Sequence, residues 1–210
     1  MKTALTLDQL NAAPINEAIR LLAGVYENSP WIAEQALTAG PFASLAQLKH
    51  AMARIVTTSE RDVQWTLIRA HPELAGQAMI DQALTAESSH EQSKAGLTQC
   101  SPAELTHLQQ LNTAYHEKFG FPFILAVRGP RGIGLSRQDI IDTFERRLLG
   151  HPEFELAECL RNIHRIAELR LNDKFGSTPE LATRCGTGMK NWRNSVIRAT
   201  RRRGNLPSPT

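Results

Sequence analysis

A chain of 210 residues with 41% hydrophobic residues can bury about 70% of the surface its unfolded form exposes, so a core is available without disulfide or metal staples. No apolar run approaches the roughly 18 residues of a membrane span, and the opening "MKTALTLDQLNAAP" lacks the apolar stretch and cleavage site of a signal peptide, so neither a membrane anchor nor export is expected. Of the net charge of +3, residues 177–210 hold seven Lys/Arg against Glu180 alone, which leaves residues 1–176 at −3 and excludes a basic nucleic-acid-binding body.

Apolar periodicity spells helices near 15–26, 30–38, 44–56 and 59–70. The last of these ends at "RAHPELAG" (69–76), because Pro72 disfavours helical backbone at His71. A polar cluster, "AESSHEQSKAGL" (86–97), follows. Next, Ser101 caps a helix with Pro102 at its first position and Glu104 completing a capping box, while Leu105, Leu108, Leu111 and Tyr115 form the inward stripe and Gly120 ends it. "FPFILAV" (121–127) is strand-like but has no partner strand, so it reads as a buried extended segment or a short helix. The loop "RGPRGIG" (128–134) lacks the Lys-Ser/Thr of a phosphate-binding loop and reads as a surface connection.

Ser136 opens another helix with Ile140, Ile141, Phe144 and Leu148 inward and Gly150 as its stop. Residues 153–175 repeat Leu156, Leu160, Ile163, Ala167 and Leu171, and the last two helices are expected to form an antiparallel hairpin across "GHPE". The fold is therefore read as an all-α, single-domain helical bundle over 1–176. Residues 177–210 read as a basic tail, flexible or loosely docked by composition. Cys100, Cys159 and Cys185, an odd set without CxxC spacing, suit free thiols in a reducing compartment better than a disulfide framework or zinc site.

His71 and His151 both precede Pro-Glu at a helix boundary, and either can carry protons near neutral pH. Ser88 and Glu91 stand three apart, which suits a capping box or two side chains on one helix face, with Glu91 pairing to an imidazole and Ser88 meeting a substrate. His71, His90 and Glu91 lack metal-ligand spacing, so no metal is expected. Arg170 adjoins the inward Leu171 and can turn into a pocket or lie on the surface, with Arg165 as its competitor.

Taken together, "LAGVYENSPWIAEQA" (22–36), "LIRAHPELAG" (67–76), "SSHEQSKAGL" (88–97), "LNTAYHEKFGFPFILAVRG" (111–129), "FERRL" (144–148) and "IHRIAELRLNDKF" (163–175) resemble the 2-oxo-4-hydroxy-4-carboxy-5-ureidoimidazoline (OHCU) decarboxylase family. The resemblance runs in order through about residues 8–175 and implies a cofactor-free, all-helical, homodimeric enzyme of urate degradation. It would convert OHCU to (S)-allantoin with loss of carbon dioxide. By motif, His71 becomes the catalytic histidine and Glu91 the carboxylate orienting it. Pro72, Ser88, Phe123, Ile124 and Arg170 become substrate contacts, the Phe123 and Ile124 amides facing ring oxygens and the Arg170 fork holding a planar anion. Apolar walls from Phe121, Phe123 and Leu125 would favour loss of charge from the carboxylate. The chain ends in Ser-Pro-Thr rather than a peroxisomal Ser-Lys-Leu, which points to the cytoplasm. Two rival readings are a catalytically inactive binding module on the same scaffold and a ureide hydrolase.

Overall fold

The computed structural model describes residues 4–76, 85–128 and 134–176, and these contain nine α-helices and one 3₁₀ turn. In order the helices are α1 (Leu7–Ala12), α2 (Ile15–Leu21), α3 (Pro30–Leu37), α4 (Leu45–Thr57), α5 (Arg61–Arg69), α6 (Ala86–Lys94), α7 (Pro102–Phe119), α8 (Arg137–Leu148) and α9 (Pro152–Lys174). The 3₁₀ turn, Leu97–Gln99, links α6 to α7. The expected tail, Cys185 and most of the 128–134 loop lie outside the described residues. Among those described, no helix is long and apolar enough to cross a membrane.

Local grammar sets many of the helix ends. Ser101 and Ser136 each close a reciprocal capping box, with Glu104 and Asp139 respectively. Gly120 ends α7 in the left-handed conformation at φ +75°. The helix expected over 15–26 stops at Leu21, since Gly24 turns the chain at φ +77°. A Cβ on Gly24 would come within 2.8 Å of the Glu87 carboxyl, the free end of a side chain that can swing aside, so it is the turn that favours glycine there.

The 23-residue α9, about 35 Å long at 1.5 Å per residue, organises the interior. Leu156, Ile163, Ala167, Leu169 and Leu171 are buried around more than one side of it, the pattern of a helix surrounded by its neighbours. It packs on α4 and α5, whereas α8 packs on α7. The expected hairpin of α8 and α9 is thus corrected: the turn at 149–151 sends them to different partners. They meet through a buried ion pair near their corner, Arg147 Nε donating to Glu155 Oε1 at 2.7 Å.

"FPFILAV" forms neither strand nor helix. Side chains hold it instead: Arg147 Nη1 donates to the Ile124 carbonyl at 2.6 Å, and the Ala126 amide donates to Asn162 Oδ1 at 3.0 Å. Phe123 stacks on Phe144 with ring centroids 3.7 Å apart, and the Arg147 guanidinium lies 4.5 Å from the Phe123 centroid. An extended segment is therefore fixed inside a helical protein by α8 and α9.

Candidate active site

α5 ends at Arg69, and Pro72 prevents its continuation. The next few residues are fastened by polar side chains from elsewhere. Asn28 Nδ2 donates to the Ala70 carbonyl at 3.0 Å and Asn112 Nδ2 to the Leu74 carbonyl at 2.9 Å. Gln92 both accepts from the Ala75 amide at 3.0 Å and donates to the Glu73 carbonyl at 3.4 Å. Ala75 itself sits at φ +52°, a conformation that non-glycine residues adopt only when their surroundings over-determine it.

This frame presents His71 to a pocket while leaving it only 9% exposed, with Nδ1 unpartnered among the described residues. Burial pushes the His71 pKa from its ordinary 6.5 to about 4; Arg170 acts in the same direction and Glu27 opposes it. The imidazole is therefore neutral at pH 7. Because the unfolded chain accepts a proton that folded His71 refuses, stability should fall as pH drops from about 6.5 towards 4. His164, also lowered by burial, adds to this in the same sense. Urea midpoints at pH 7 and pH 5 test this expectation: His71→Asn should flatten the difference, and an equally steep dependence would contradict it.

α6 begins at Thr85, whose hydroxyl accepts from the Ser88 amide at 3.3 Å. Ser88 is thus the third residue of the helix and not its cap, which removes the capping-box reading of Ser88 and Glu91. The Ser88 hydroxyl donates to Glu27 Oε2 at 3.0 Å and accepts from Arg170 Nη2 at 3.2 Å. Glu91 does not take the role expected for it beside the imidazole. Its carboxylate pairs with Arg170, with Nε at 3.0 Å from Oε1 and Nη2 at 2.8 Å from Oε2. The bidentate match of two planar groups explains the preference.

Arg170 is buried, and all five of its N–H groups are engaged: two by Glu91, one by Ser88, one by the Gly24 carbonyl at 2.8 Å and one by Glu27 at 2.5 Å. The fork that the resemblance assigns to a substrate anion thus holds two carboxylates in this arrangement. Arg165, its competitor, pairs with Glu168 at 2.7 Å.

The pocket in front of this network is small, about 30 Å³, and opens to solvent. His71, Pro72, Ser88, Glu91, Phe123 and Ile124 line it, so six of the seven expected site residues share one cavity. Arg170 instead contributes to a second cavity, which Glu91 also lines, beside Leu5, Glu87, His90 and Asp173. Of the expected apolar walls, Phe123 and Leu125 face the pocket, whereas Phe121 packs among Trp65, Tyr115 and Phe119. Among the described residues, no three His, Cys, Asp or Glu side chains gather as metal ligands.

Sequence reasoning missed Glu27. It is 1% exposed, and burial alone would raise its pKa, but the Arg170 charge and hydrogen bonds from Thr85 and Arg170 hold it below the ordinary carboxylate range. The available signal was a charged residue set among the buried Val25, Tyr26 and Ser29. By contrast, His151 is exposed at the start of α9, where its Nδ1 accepts from the Glu153 amide at 3.3 Å. Here Pro152 occupies the first helical position, as expected for the second His-Pro-Glu copy.

Comparison with known proteins places most of the chain among relatives. The OHCU decarboxylase family model matches residues 11–172. The chain is 40% identical over 169 residues to the uric acid degradation bifunctional protein of Bacillus sp. (strain TB-90), covering 80% of this chain and 32% of that protein. It is 36% identical over 173 residues to the 2-oxo-4-hydroxy-4-carboxy-5-ureidoimidazoline decarboxylase of Haloferax volcanii, covering 82% of this chain and 98% of the relative. Among solved structures, (S)-allantoin synthase superposes with a TM-score of 0.61 at 30% identity, covering 81% of this chain and 54% of that one. The chain thus spans about a third of the Bacillus protein, just over half of the synthase and nearly all of the Haloferax enzyme. With a family model matched over most of its length and a full-length relative above 30% identity, the chain belongs to the OHCU decarboxylase family.

Proposed function

We infer that the protein decarboxylates OHCU to (S)-allantoin in urate degradation, and that it does so with its own side chains and no cofactor. The observation that carries this reading is the neutral, buried His71 facing a pocket it shares with Pro72, Ser88, Glu91 and the Phe123-Ile124 backbone. In the substrate one ring carbon bears both hydroxyl and carboxylate. As the carbon–carboxylate bond breaks, its electron pair flows into the adjacent C=N, whose nitrogen takes up a proton from solvent; the hydroxyl proton is then lost as a carbonyl forms. The ureido-bearing carbon then takes a proton on one face.

A neutral imidazole suits the first proton transfer, because it is already a base at pH 7. Positioned proton transfer of this kind supplies about 10²–10⁴ in rate, or roughly 3–5 kcal/mol. The two carboxylates around Arg170 leave the network with one net negative charge, so an arriving substrate carboxylate raises the affinity of His71 for a proton. That coupling keeps the proton on His71 until the ring carbon can accept it. On this reading Glu91 exchanges its place on Arg170 with a substrate anion, and Ser88 and the Phe123-Ile124 segment orient the ring.

The reading extends to a homodimer, carried over from the family resemblance, and to the cytoplasm, a reducing compartment that the cysteine set suits; light scattering of the purified protein tests the first. To test the activity, OHCU is generated in situ from urate and circular dichroism followed. Faster appearance of optically active allantoin with this protein, with carbon dioxide released in equal amount, supports the assignment. Unaccelerated racemic product would reject it, and consumption without carbon dioxide would favour a hydrolase.

A further inference from the structure

Glu27 lies in the connection between α2 and α3, far in sequence from α6 and α9, yet its carboxylate makes three hydrogen bonds to those two helices. It accepts from the Thr85 hydroxyl at the start of α6, from the Ser88 hydroxyl at 3.0 Å and from Arg170 Nη1 on α9 at 2.5 Å. Its side chain is 1% exposed, against 14% for Glu91, the second carboxylate on the same guanidinium. One carboxylate is therefore deep and locked, and the other faces the pocket.

We propose that Glu27 is a positioning residue for the reaction: it holds Arg170 and the Ser88 hydroxyl in one orientation beside His71, so that Ser88 meets the substrate as a hydrogen-bond acceptor. The polarity follows from proton inventory. A carboxylate has no hydrogen to give, so the hydrogen between Ser88 and Glu27 belongs to Ser88 and points away from the pocket. The hydroxyl oxygen also accepts from Arg170 Nη2 at 3.2 Å, which leaves one lone pair. The substrate group that suits that lone pair is an N–H, of which a ureide offers several, rather than a carbonyl. With Glu27 fixed on one side of Arg170, Glu91 is also left as the carboxylate that a substrate anion displaces.

The charged groups facing His71 are Arg170 from α9, Glu27 from the connection before α3 and Glu91, which lines the same pocket from α6. Of these, Glu27 favours the protonated imidazole and Arg170 disfavours it. A locked anion thus also keeps His71 within reach of protonation when substrate arrives.

This inference rests on the decarboxylase reading, and its test is separable from it, because turnover by the wild-type protein decides that reading alone. Glu27→Gln preserves shape and removes the charge. Its kcat should fall by about 100-fold with a smaller change in KM, since orientation rather than uniform binding is lost. In the substrate-free protein with labelled histidine, the NMR titration midpoint of His71 should move to lower pH. Combined with Ser88→Ala, the loss should be no greater than that of the larger single variant, because both act through one unit. A folded Glu27→Gln protein with kcat within threefold of wild type, an unmoved His71 midpoint or fully multiplicative losses would overturn the role. Should that variant not fold, Glu27→Asp keeps the charge one methylene back and out of reach of Ser88; lowered kcat in a folded protein supports the proposal. Wild-type kcat in it, or failure of both variants to fold, would reduce Glu27 to a structural residue.

Discussion

Replacing His71 with asparagine lowers turnover of OHCU by about 10²–10⁴-fold while the protein still folds. The loss is chemical, since the imidazole is the neutral proton carrier of the pocket and no neighbour offers an equivalent group at that place. Folding survives because Nδ1 makes no hydrogen bond among the described residues, so truncation strands no buried partner. The internal control is His151→Ala. That residue caps α9 from an exposed position, so its removal costs about 0.5–2 kcal/mol of stability and leaves kcat essentially unchanged. The pair is read by steady-state kinetics beside thermal unfolding. Near-normal turnover by a folded His71→Asn protein would remove this residue from the mechanism, and a large kcat loss in His151→Ala would mean that the two copies had been assigned the wrong way round.

Arg147→Met should give the largest loss of stability, about 3–5 kcal/mol, because it leaves Glu155 buried without its partner. For a chain of this size that lowers Tm by about 6–20 °C. Activity falls as well, through a different route: Arg147 clamps the Ile124 carbonyl at 2.6 Å and lies over Phe123, and both residues line the pocket. The two effects separate in the double variant Arg147→Met/Glu155→Leu. Replacing the whole pair with apolar groups restores part of the stability, although the Tyr115 hydroxyl, which also donates to Glu155, loses that acceptor. The Ile124 carbonyl remains unclamped, so kcat/KM stays low. Full recovery of activity together with stability would show that Arg147 serves the fold alone.

How far the sequence could be read depends on the span of each interaction. Ser101, Ser136 and Gly120 mark helix ends because capping involves residues three or four apart, and that grammar is visible in a single chain. The same grammar misleads at Ser88 and Glu91, which have capping spacing but sit inside a helix capped by Thr85. Nothing local predicts that Glu91 faces Arg170, 79 positions away, or that Glu27 reaches it from 143. Arg147 lies three residues after Phe144, on the same face as the inward series, but the apolar Leu148 beside it was read as the inward residue and the buried charge was passed over. The hairpin expectation for α8 and α9 failed for a related reason: a short connection fixes neighbours in sequence, while the buried Arg147-Glu155 pair and the packing of α9 on α4 and α5 decide neighbours in space.

The turn that carries His71 has a kinetic consequence. Residues 70–75 take their described side-chain tethers from Asn28, Gln92 and Asn112, at sequence separations of 42, 17 to 19 and 38. The turn is latched from three directions and cannot assume its shape until those distant segments have docked. In refolding from urea, the far-ultraviolet helical signal should therefore return before catalytic competence, and a catalytic assay sampled during refolding would time the closing of the last latch. Simultaneous recovery of both signals would mean that the turn sets its own geometry.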